Sequence, residues 1–389
     1  MPRARTGGSC ENAGSVKTKL TSRAIADLRR RLLRWFAAHR RELPWRASRD
    51  PYRVWVAEIM LQQTRIAAVL PYYERFLGRF PDVERLAGAR QEEVLTLWSG
   101  LGYYSRARNL HAAAKEIVAR HGGDFPRELD AALALPGIGR YTAAAVLSIA
   151  YDAPLAALDG NVARVLARLG AVRGDLREPR RWKGLAATAQ ELLATQAPGD
   201  WNQALMELGE TVCTPQSPRC ESCPIGRMCQ ARLRGVVEEI PAPRKKRAVV
   251  KVQIAAAILR DPQGRTILVK EPGAHDGVLF SRMWQFPAVE VVRDAKAELA
   301  EHVRATLGVD EVALEPLPRR RHCVTFRNVA LLPFLARVEA LPKQRGARIL
   351  TLEGLERVAV SSATRKIAAA AMPMAAAPRE ESAPGIMTR

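Results

Sequence analysis

The 389 residues are 48% hydrophobic and 26% charged, enough apolar material to bury cores in two or three domains and too much for a disordered tail. Lys and Arg number 61 against 40 Asp and Glu, a formal net charge of +21, which favours a polyanionic partner, nucleic acid before others; an Arg-rich protein without such a partner is the plain alternative. No apolar run approaches the ~20 residues of a membrane span, and none precedes Leu20, so neither secretion nor membrane anchoring is expected and a cytoplasmic location is.

Residues 1–22, rich in Gly, Ser, Thr and Lys without periodicity, read as a disordered N-terminus. From 23 to 232 apolar residues recur at three- and four-residue spacing, as in Leu28, Leu32, Trp35 and Phe36, and the stretch reads as one all-helical domain. Asp50 and Pro51 supply an N-cap and a first-turn proline for a helix expected over 51–63, which carries Glu58. A glycine-rich turn near 135–140 lies between two helical segments, a further helix is expected over 162–169, and a helical run over 202–212 leads into a cysteine-bearing loop at 213–229. Residues 233–248 contain PAPRKKR and read as a basic linker. Beyond it the period becomes extended: strands over 249–259 and 265–269 flank a type I turn at 261–264, a helix follows over 295–307, and strands lie near Val312 and over 324–338. The stretch 249–360 is therefore a mixed α/β domain, and 361–389 a helical or disordered tail.

Cys213, Cys220, Cys223 and Cys229 fall within seventeen residues, with gaps of six, two and five. In a chain expected to stay in a reducing compartment, such a group points to metal ligands rather than disulfides. By ligand number four thiolates suit zinc and an iron–sulfur cluster equally. Zinc sites normally use two close pairs set apart, whereas here one pair is flanked by single ligands, which favours a [4Fe-4S] cluster. Cys10 and Cys323 read as ordinary thiols.

Gly137 and Gly139, with Arg140 beside them, would let backbone N–H groups approach a phosphate at a helix N-terminus, although a turn with no further duty has the same composition. Glu58 sits among Val54, Trp55, Val56, Ala57, Ile59, Met60 and Leu61, a setting that keeps a carboxyl protonated near neutral pH and suits a general acid; a solvated glutamate or one paired with Arg65 is the alternative. Asp159, ahead of Gly160 and Asn161, is by default an N-cap. A carboxylate fixed at such a turn can also face an oxocarbenium ion, as in glycoside hydrolysis.

Several longer motifs occur in one order: LPWR at 43–46, AEIMLQQT at 57–64, WSGLGYYSRARNLH at 98–111, LPGIGRYTAAA at 135–145 and LDGNVARVLAR at 158–168. With the cysteine group they resemble adenine DNA glycosylases of the MutY type, in the helix-hairpin-helix superfamily, strongly over about 24–232 and weakly over about 250–360. The resemblance implies a multidomain fold, an all-α helix-hairpin-helix glycosylase core with a [4Fe-4S] cluster loop followed by a C-terminal α/β Nudix-like domain. It implies a base excision repair enzyme that acts on double-stranded DNA, flips out adenine mispaired with 8-oxoguanine or guanine, and removes it by hydrolysis.

In that resemblance Glu58 is the acid that protonates adenine N7, Asp159 stabilises or captures the sugar cation, and Tyr141 and Asn161 support them. Gln63 and Tyr103 match residues that wedge into the duplex, while Gly137, Gly139 and Arg140 match its backbone-binding hairpin. Leu43, Trp45, Arg46 and Glu207 match the adenine pocket; Leu43 and Trp45 read equally as core residues. Endonuclease III shares the hairpin and the cluster but carries a lysine nucleophile just after the hairpin, where Tyr141 stands here; the implied enzyme is monofunctional and leaves an abasic site. The cluster loop, with Arg219 and Arg227, is implied to hold DNA phosphates rather than perform redox chemistry. The motif MWQFP at 283–287 fits the Nudix-like strand signature and the domain's implied role in recognising the mismatch, whereas 294–308 lacks the glutamate array that would hold Mg²⁺. Where the family has a Phe-Ser-His loop, this chain has Val324, Thr325 and Phe326 after His322. Thr325 retains a hydroxyl, and discrimination between 8-oxoguanine and guanine is expected to be weaker or differently arranged. A monomer working at the bacterial nucleoid is expected.

Overall fold

The computed structural model describes residues 20–242, 248–270, 283–324 and 326–372. Contacts divide the chain into two compact units, one of Met1–Ala89 and Ser105–Lys246, the other of Arg90–Tyr104 and Arg247–Arg389. Among the described residues no helix is long and apolar enough to cross a membrane.

The helices, in chain order, are α1 (Ser22–His39), α2 (Pro51–Leu61), α3 (Ile66–Arg79), α4 (Val83–Ala87), α5 (Gln91–Trp98), α6 (Ser105–His121), α7 (Leu129–Leu133), α8 (Arg140–Tyr151), α9 (Gly160–Leu169), α10 (Pro179–Leu192), α11 (Pro198–Thr211), α12 (Gln230–Leu233), α13 (Ala295–Leu307) and α14 (Ser362–Ala371). The first unit contains all of them except α5, α13 and α14. Its helices start where short polar side chains can take up free N–H groups: Thr21 accepts from Ala24, Asp50 from Tyr52 and Arg53, Asp82 from Arg85 and Asp159 from Val162. One core cluster joins Leu28, Leu32 and Phe36 of α1 to Leu166, Leu192, Trp201 and Leu208. Each such side chain, fully buried, contributes roughly 1.5–3 kcal/mol of transfer free energy.

Helices α2, α8 and α9 of this unit have almost no solvent face, α9 burying every residue from Val162 to Leu169. Helix α2 buries Tyr52 and every residue from Val54 to Met60, and α8 buries every residue from Thr142 to Ile149. Small residues at Ala143, Ala144 and Ala145 leave room for α2 to pack against α8, so a glutamate midway along α2 is carried into the interior. The expected end of α2 is corrected: the helix stops at Leu61, two residues early. The buried guanidinium of Arg106 donates to the carbonyls of Ile59 and Met60 at 2.9 Å and of Gln62 at 2.5 Å, taking the acceptors on which another helical turn would be built, and Gln63 turns into left-handed backbone at φ 58°.

The second unit is α/β. Strands β1 (Val250–Arg260), β2 (Arg265–Val269), β3 (Ala288–Glu290), β4 (Glu315–Pro316), β5 (Arg320–Val324), β6 (Arg327–Arg337) and β7 (Ala347–Thr351) form one sheet in the order β4-β6-β1-β2-β7, with β3 on β1 and β5 on β6. Long strands β1 and β6 run parallel, paired from Val250↔Arg327 to Arg260↔Arg337. Helix α13 packs on one side, and its residues Leu299, Val303 and Leu307 share a core with Ala255, Ala257 and Phe334. The run expected as one strand over 324–338 is two: Val324 pairs with Arg327, ending β5 and starting β6. Val312 lies outside any strand. Thr325 lies outside the described residues.

Arg90–Tyr104 carries helix α5 within the stretch expected as one helical domain over 23–232, but by its contacts it belongs to the second unit. Polar anchors account for this. Glu92 on α5 accepts from Trp284 Nε1 at 3.0 Å and pairs with Arg348 at 2.7 Å, and Ser99 donates to the Val360 carbonyl at 2.6 Å.

Candidate active site

A cavity of about 710 Å³ opens in the first unit. Helix α2 contributes Glu58 and Leu61, the turn after it Gln62, Gln63 and Thr64, the turn before α8 Gly137 and Gly139, and α8 itself Arg140, Tyr141 and Thr142. Asp159 and Asn161 enter from the start of α9, Leu43, Trp45 and Arg46 from the segment before α2, and Glu207 from α11. Of the expected site residues, the structure thus brings together all those of the first unit apart from the cysteines. Tyr103 belongs to the second unit, where it is 42% exposed with φ at 48°.

Glu58 is buried, and its partner is not Arg65. Tyr141 in the first turn of α8 donates its hydroxyl to Oε2 over 2.7 Å. Burial pushes the Glu58 carboxyl up from 4.5 to about 7; the Tyr141 hydrogen bond pulls down, the Asp159 charge pushes up and Arg46 pulls down. Near neutral pH this carboxyl can hold a proton and release it. Asp159 takes the N-cap position that sequence reasoning assigned it, accepting from Val162 N at 2.7 Å. Burial raises its carboxyl, against backbone N–H groups of Val162 and Asn161 and the charge of Arg164, which favour the ionised form. Both carboxyls are raised by burial, and they differ in their partners: Glu58 has one phenol and the Arg46 charge, whereas Asp159 has backbone N–H groups and the Arg164 charge working for its ionised form.

The cavity's far wall is polar. Glu207, only 1% exposed, is held by Arg41 through Nε–Oε1 at 2.5 Å and Nη2–Oε2 at 2.9 Å, and by Arg46 at 2.9 Å. Burial pushes Glu207 up, but the two guanidiniums outweigh it and leave the carboxyl below its usual range. Arg46 also donates to Gln203 and lies over the Phe36 ring. Leu43 and Trp45 are buried and line the cavity as well, so their two readings are compatible.

Three arginines central to this arrangement escaped sequence reasoning. Arg41 and Arg106 carry no spacing signal; they act on residues 166 and about 44 positions away. Arg164, on the buried side of α9, donates to Asn161 Oδ1 at 3.0 Å, to the Gly209 carbonyl at 2.7 Å and to the Cys213 carbonyl at 2.9 Å, tying the cavity to the cysteine loop. An Arg on an apolar helical stripe was the available signal, and periodicity alone treats it as solvated.

Before α8, Gly137 has φ at 75°, and a Cβ there would lie 2.6 Å from Asn109 Cβ, so glycine is required twice over. A Cβ on Gly139, the N-cap of α8, would meet nothing within 4 Å. The backbone at the head of this twelve-residue helix is open to an approaching group.

Cys213, Cys220, Cys223 and Cys229 line one small cavity together with Arg168, Arg219 and Arg232. Arg168 is fully buried and reaches the Thr214 carbonyl at 2.7 Å and Cys213 Sγ at 3.4 Å. Arg219 donates to the Thr211 carbonyl at 2.6 Å. A Cβ on Gly226 would stand 2.9 Å from the Cys220 carbonyl and 3.4 Å from Cys223 Cβ, so the loop closes tightly around the thiols. Burial pushes the Cys223 thiol up to about 12 and raises Cys220 and Cys229. Among the described residues no group of three or more His, Cys, Asp or Glu side chains is arranged to hold a metal ion.

Residues 56–214 match the family described as HhH-GPD superfamily base excision DNA repair protein, a span from the buried face of α2 to Cys213. An adenine DNA glycosylase of Rattus norvegicus is 35% identical over 404 residues, covering 88% of this chain and 78% of its own length. The chain belongs to the adenine DNA glycosylase family. The Homo sapiens adenine DNA glycosylase is 34% identical over 403 residues, covering 88% of this chain and 73% of its own. Among solved structures, a thermostable thymine-DNA glycosylase aligns with 54% of this chain and 97% of its own at 29% identity and a TM-score of 0.49. As an adenine DNA glycosylase family member, the chain is an N-glycosylase of base excision repair with a helix-hairpin-helix core.

Proposed function

We propose that this enzyme removes adenine opposite 8-oxoguanine or guanine in duplex DNA by hydrolysis alone, leaving an abasic site. The observation that carries the reading is the hydrogen-bonded pair of Tyr141 and Glu58, with Glu58 held near 7, in a cavity that also holds Asp159 and, among the described residues, is lined by no lysine. Adenine is unreachable inside the base stack, so it must first be extruded into this cavity. Gln63 and Tyr103 are each proposed to contact the duplex; both carry side chains on left-handed backbone, a conformation held only by surrounding structure.

Protonated Glu58 donates to N7 of the extruded adenine, and the C1′–N9 bond breaks with its electron pair moving into the base. The positive charge left on the sugar faces Asp159, whose ionised form the N–H groups at the start of α9 favour against the upward push of burial. Water then adds at C1′ and gives its proton to the Glu58 carboxylate, restoring the acid. Without a lining amine no Schiff base forms and the strand is not cut. Arg41 and Arg46 keep Glu207 ionised as an acceptor for the adenine amino group.

Cys213, Cys220, Cys223 and Cys229 supply donors of the type and number that a [4Fe-4S] cluster takes, although among the described residues they are not drawn together as a ligand group. Four thiols line one cavity, and burial disfavours bare thiolates at Cys220, Cys223 and Cys229, a penalty that a positive core would offset. Such a cluster would supply cross-linking of the loop at 213–229. In the Nudix-like unit, Glu298 spends its carboxylate on the N–H groups of Val292, Arg293 and Asp294, which supports a recognition role without nucleotide hydrolysis.

Single-turnover cleavage of duplexes with adenine opposite 8-oxoguanine, guanine or thymine, and of a thymine glycol duplex, tests this. Adenine release from the first two, strand breakage only after alkali, and loss of release in Glu58→Gln are expected. Alkali-independent cutting of thymine glycol would replace the reading with an endonuclease III activity.

A further inference from the structure

We propose that Ser99 and Arg365 are positioning residues for Tyr103, so that the second unit sets the geometry of the duplex wedge through its own hydrogen bonds as well as through any contact it makes with the mismatch. The inference rests on the reading of Tyr103 as a DNA contact.

The loop that follows α5 has unusual backbone: Gly100, Gly102 and Tyr103 all have positive φ, at 106°, 78° and 48°. A tyrosine there is strained by roughly 1 kcal/mol or more, and the conformation persists only where neighbours impose it. Those neighbours lie on both sides of Tyr103. Four residues before it, buried Ser99 donates to the Val360 carbonyl at 2.6 Å and accepts from Arg365 Nη2 at 3.1 Å. One residue after it, the Tyr104 hydroxyl donates to the same Val360 carbonyl at 3.4 Å. Inside the loop, Trp98 Nε1 donates to the Gly102 carbonyl at 3.1 Å.

Val360 and Arg365 are in turn fixed by the fold. Val360 is bridged to Trp284, and Ser361 caps α14, on which Arg365 sits one turn along. The loop is therefore clamped at both ends to one short stretch of chain, and the one large side chain turned outward between the clamps is Tyr103.

A double-mutant cycle tests this on the full-length protein. Ser99→Ala, Arg365→Ala, Arg365→Lys and Tyr103→Ala are compared, singly and with Tyr103→Ala, for affinity to a duplex holding adenine opposite guanine and for the single-turnover rate on it. Ser99→Ala and Arg365→Ala should each weaken one or both by roughly two- to tenfold, the worth of one hydrogen bond. Arg365→Lys should recover part of that, and neither alanine variant should cost anything further in the Tyr103→Ala background. Losses that multiply unchanged in that background overturn the positioning role and leave Tyr103 as a DNA contact. If Tyr103→Ala alone changes neither quantity while adenine release persists, the reading of Tyr103 as a wedge fails, and the proposal with it.

Discussion

Tyr141 and Glu58 sit on different helices, 83 residues apart, and meet through a 2.7 Å hydrogen bond in which the phenol stabilises the charged carboxylate. The proton on Glu58 drives leaving-group departure, so adenine release should decline as pH rises through about 7. Tyr141→Phe removes a donor that favours the ionised form, and the decline should move to higher pH by roughly one unit. Single-turnover rates between pH 5 and 9 report it; a midpoint that stays put or moves lower would show that the phenol does not tune this carboxyl.

The same burial has a cost in stability whose sign is fixed. Glu58 is raised from 4.5 to about 7 in the folded protein, so the folded state holds this proton more tightly than the unfolded chain. Its contribution is therefore fully present below pH 4.5 and is lost as pH rises through 7. Glu58→Gln, neutral throughout, should be more stable than the parent above pH 7 by up to about 3 kcal/mol, with the gap closing towards pH 4.5. Denaturant titrations at pH 5 and 8 measure it, and equal stabilities at pH 8 would contradict the burial argument.

Arg164 bridges Asn161, Gly209 and Cys213. Its removal leaves buried acceptors without a donor, so Arg164→Gln should lower stability by roughly 2–4 kcal/mol and slow adenine release. Arg164→Lys should recover little, since one ammonium cannot span three acceptors in a fork. Full recovery by lysine would show that charge alone matters.

The two glycines before α8 should separate fold from binding. Gly137→Ala forces a Cβ to 2.6 Å from Asn109 at a positive φ, and should cost roughly 1–3 kcal/mol, partly restored by Asn109→Gly. Gly139→Ala meets no atom within 4 Å, and should cost under about 1 kcal/mol while weakening duplex binding. Thermal melts and duplex titrations would contradict this if the two variants behaved alike.

Much of this was legible in the sequence because it is local. Asp50 and Asp159 announce helix starts, apolar spacing gives α1 and α9, and the span of α13 over 295–307 follows from period alone. The seat of Glu58 was legible because seven apolar neighbours leave a helix no wet face. What could not be read depends on residues far apart in the chain. The early stop of α2 is decided by Arg106, the ionised Glu207 by Arg41, and the membership of Arg90–Tyr104 by Val360 and Arg348. No window of sequence contains both partners, and charged residues at such positions look like surface.

The Ser99–Val360 hydrogen bond joins residues 261 positions apart. During synthesis at roughly 5–20 residues per second, Tyr103 emerges on the order of 10–50 s before the strand end and helix that will hold its loop. A chain stopped short of Val360 could complete the Glu58 cavity, all of whose lining lies before residue 211, and still lack that hold. A chain ended before Val360 is therefore expected to keep its acid in place and to leave its wedge untethered.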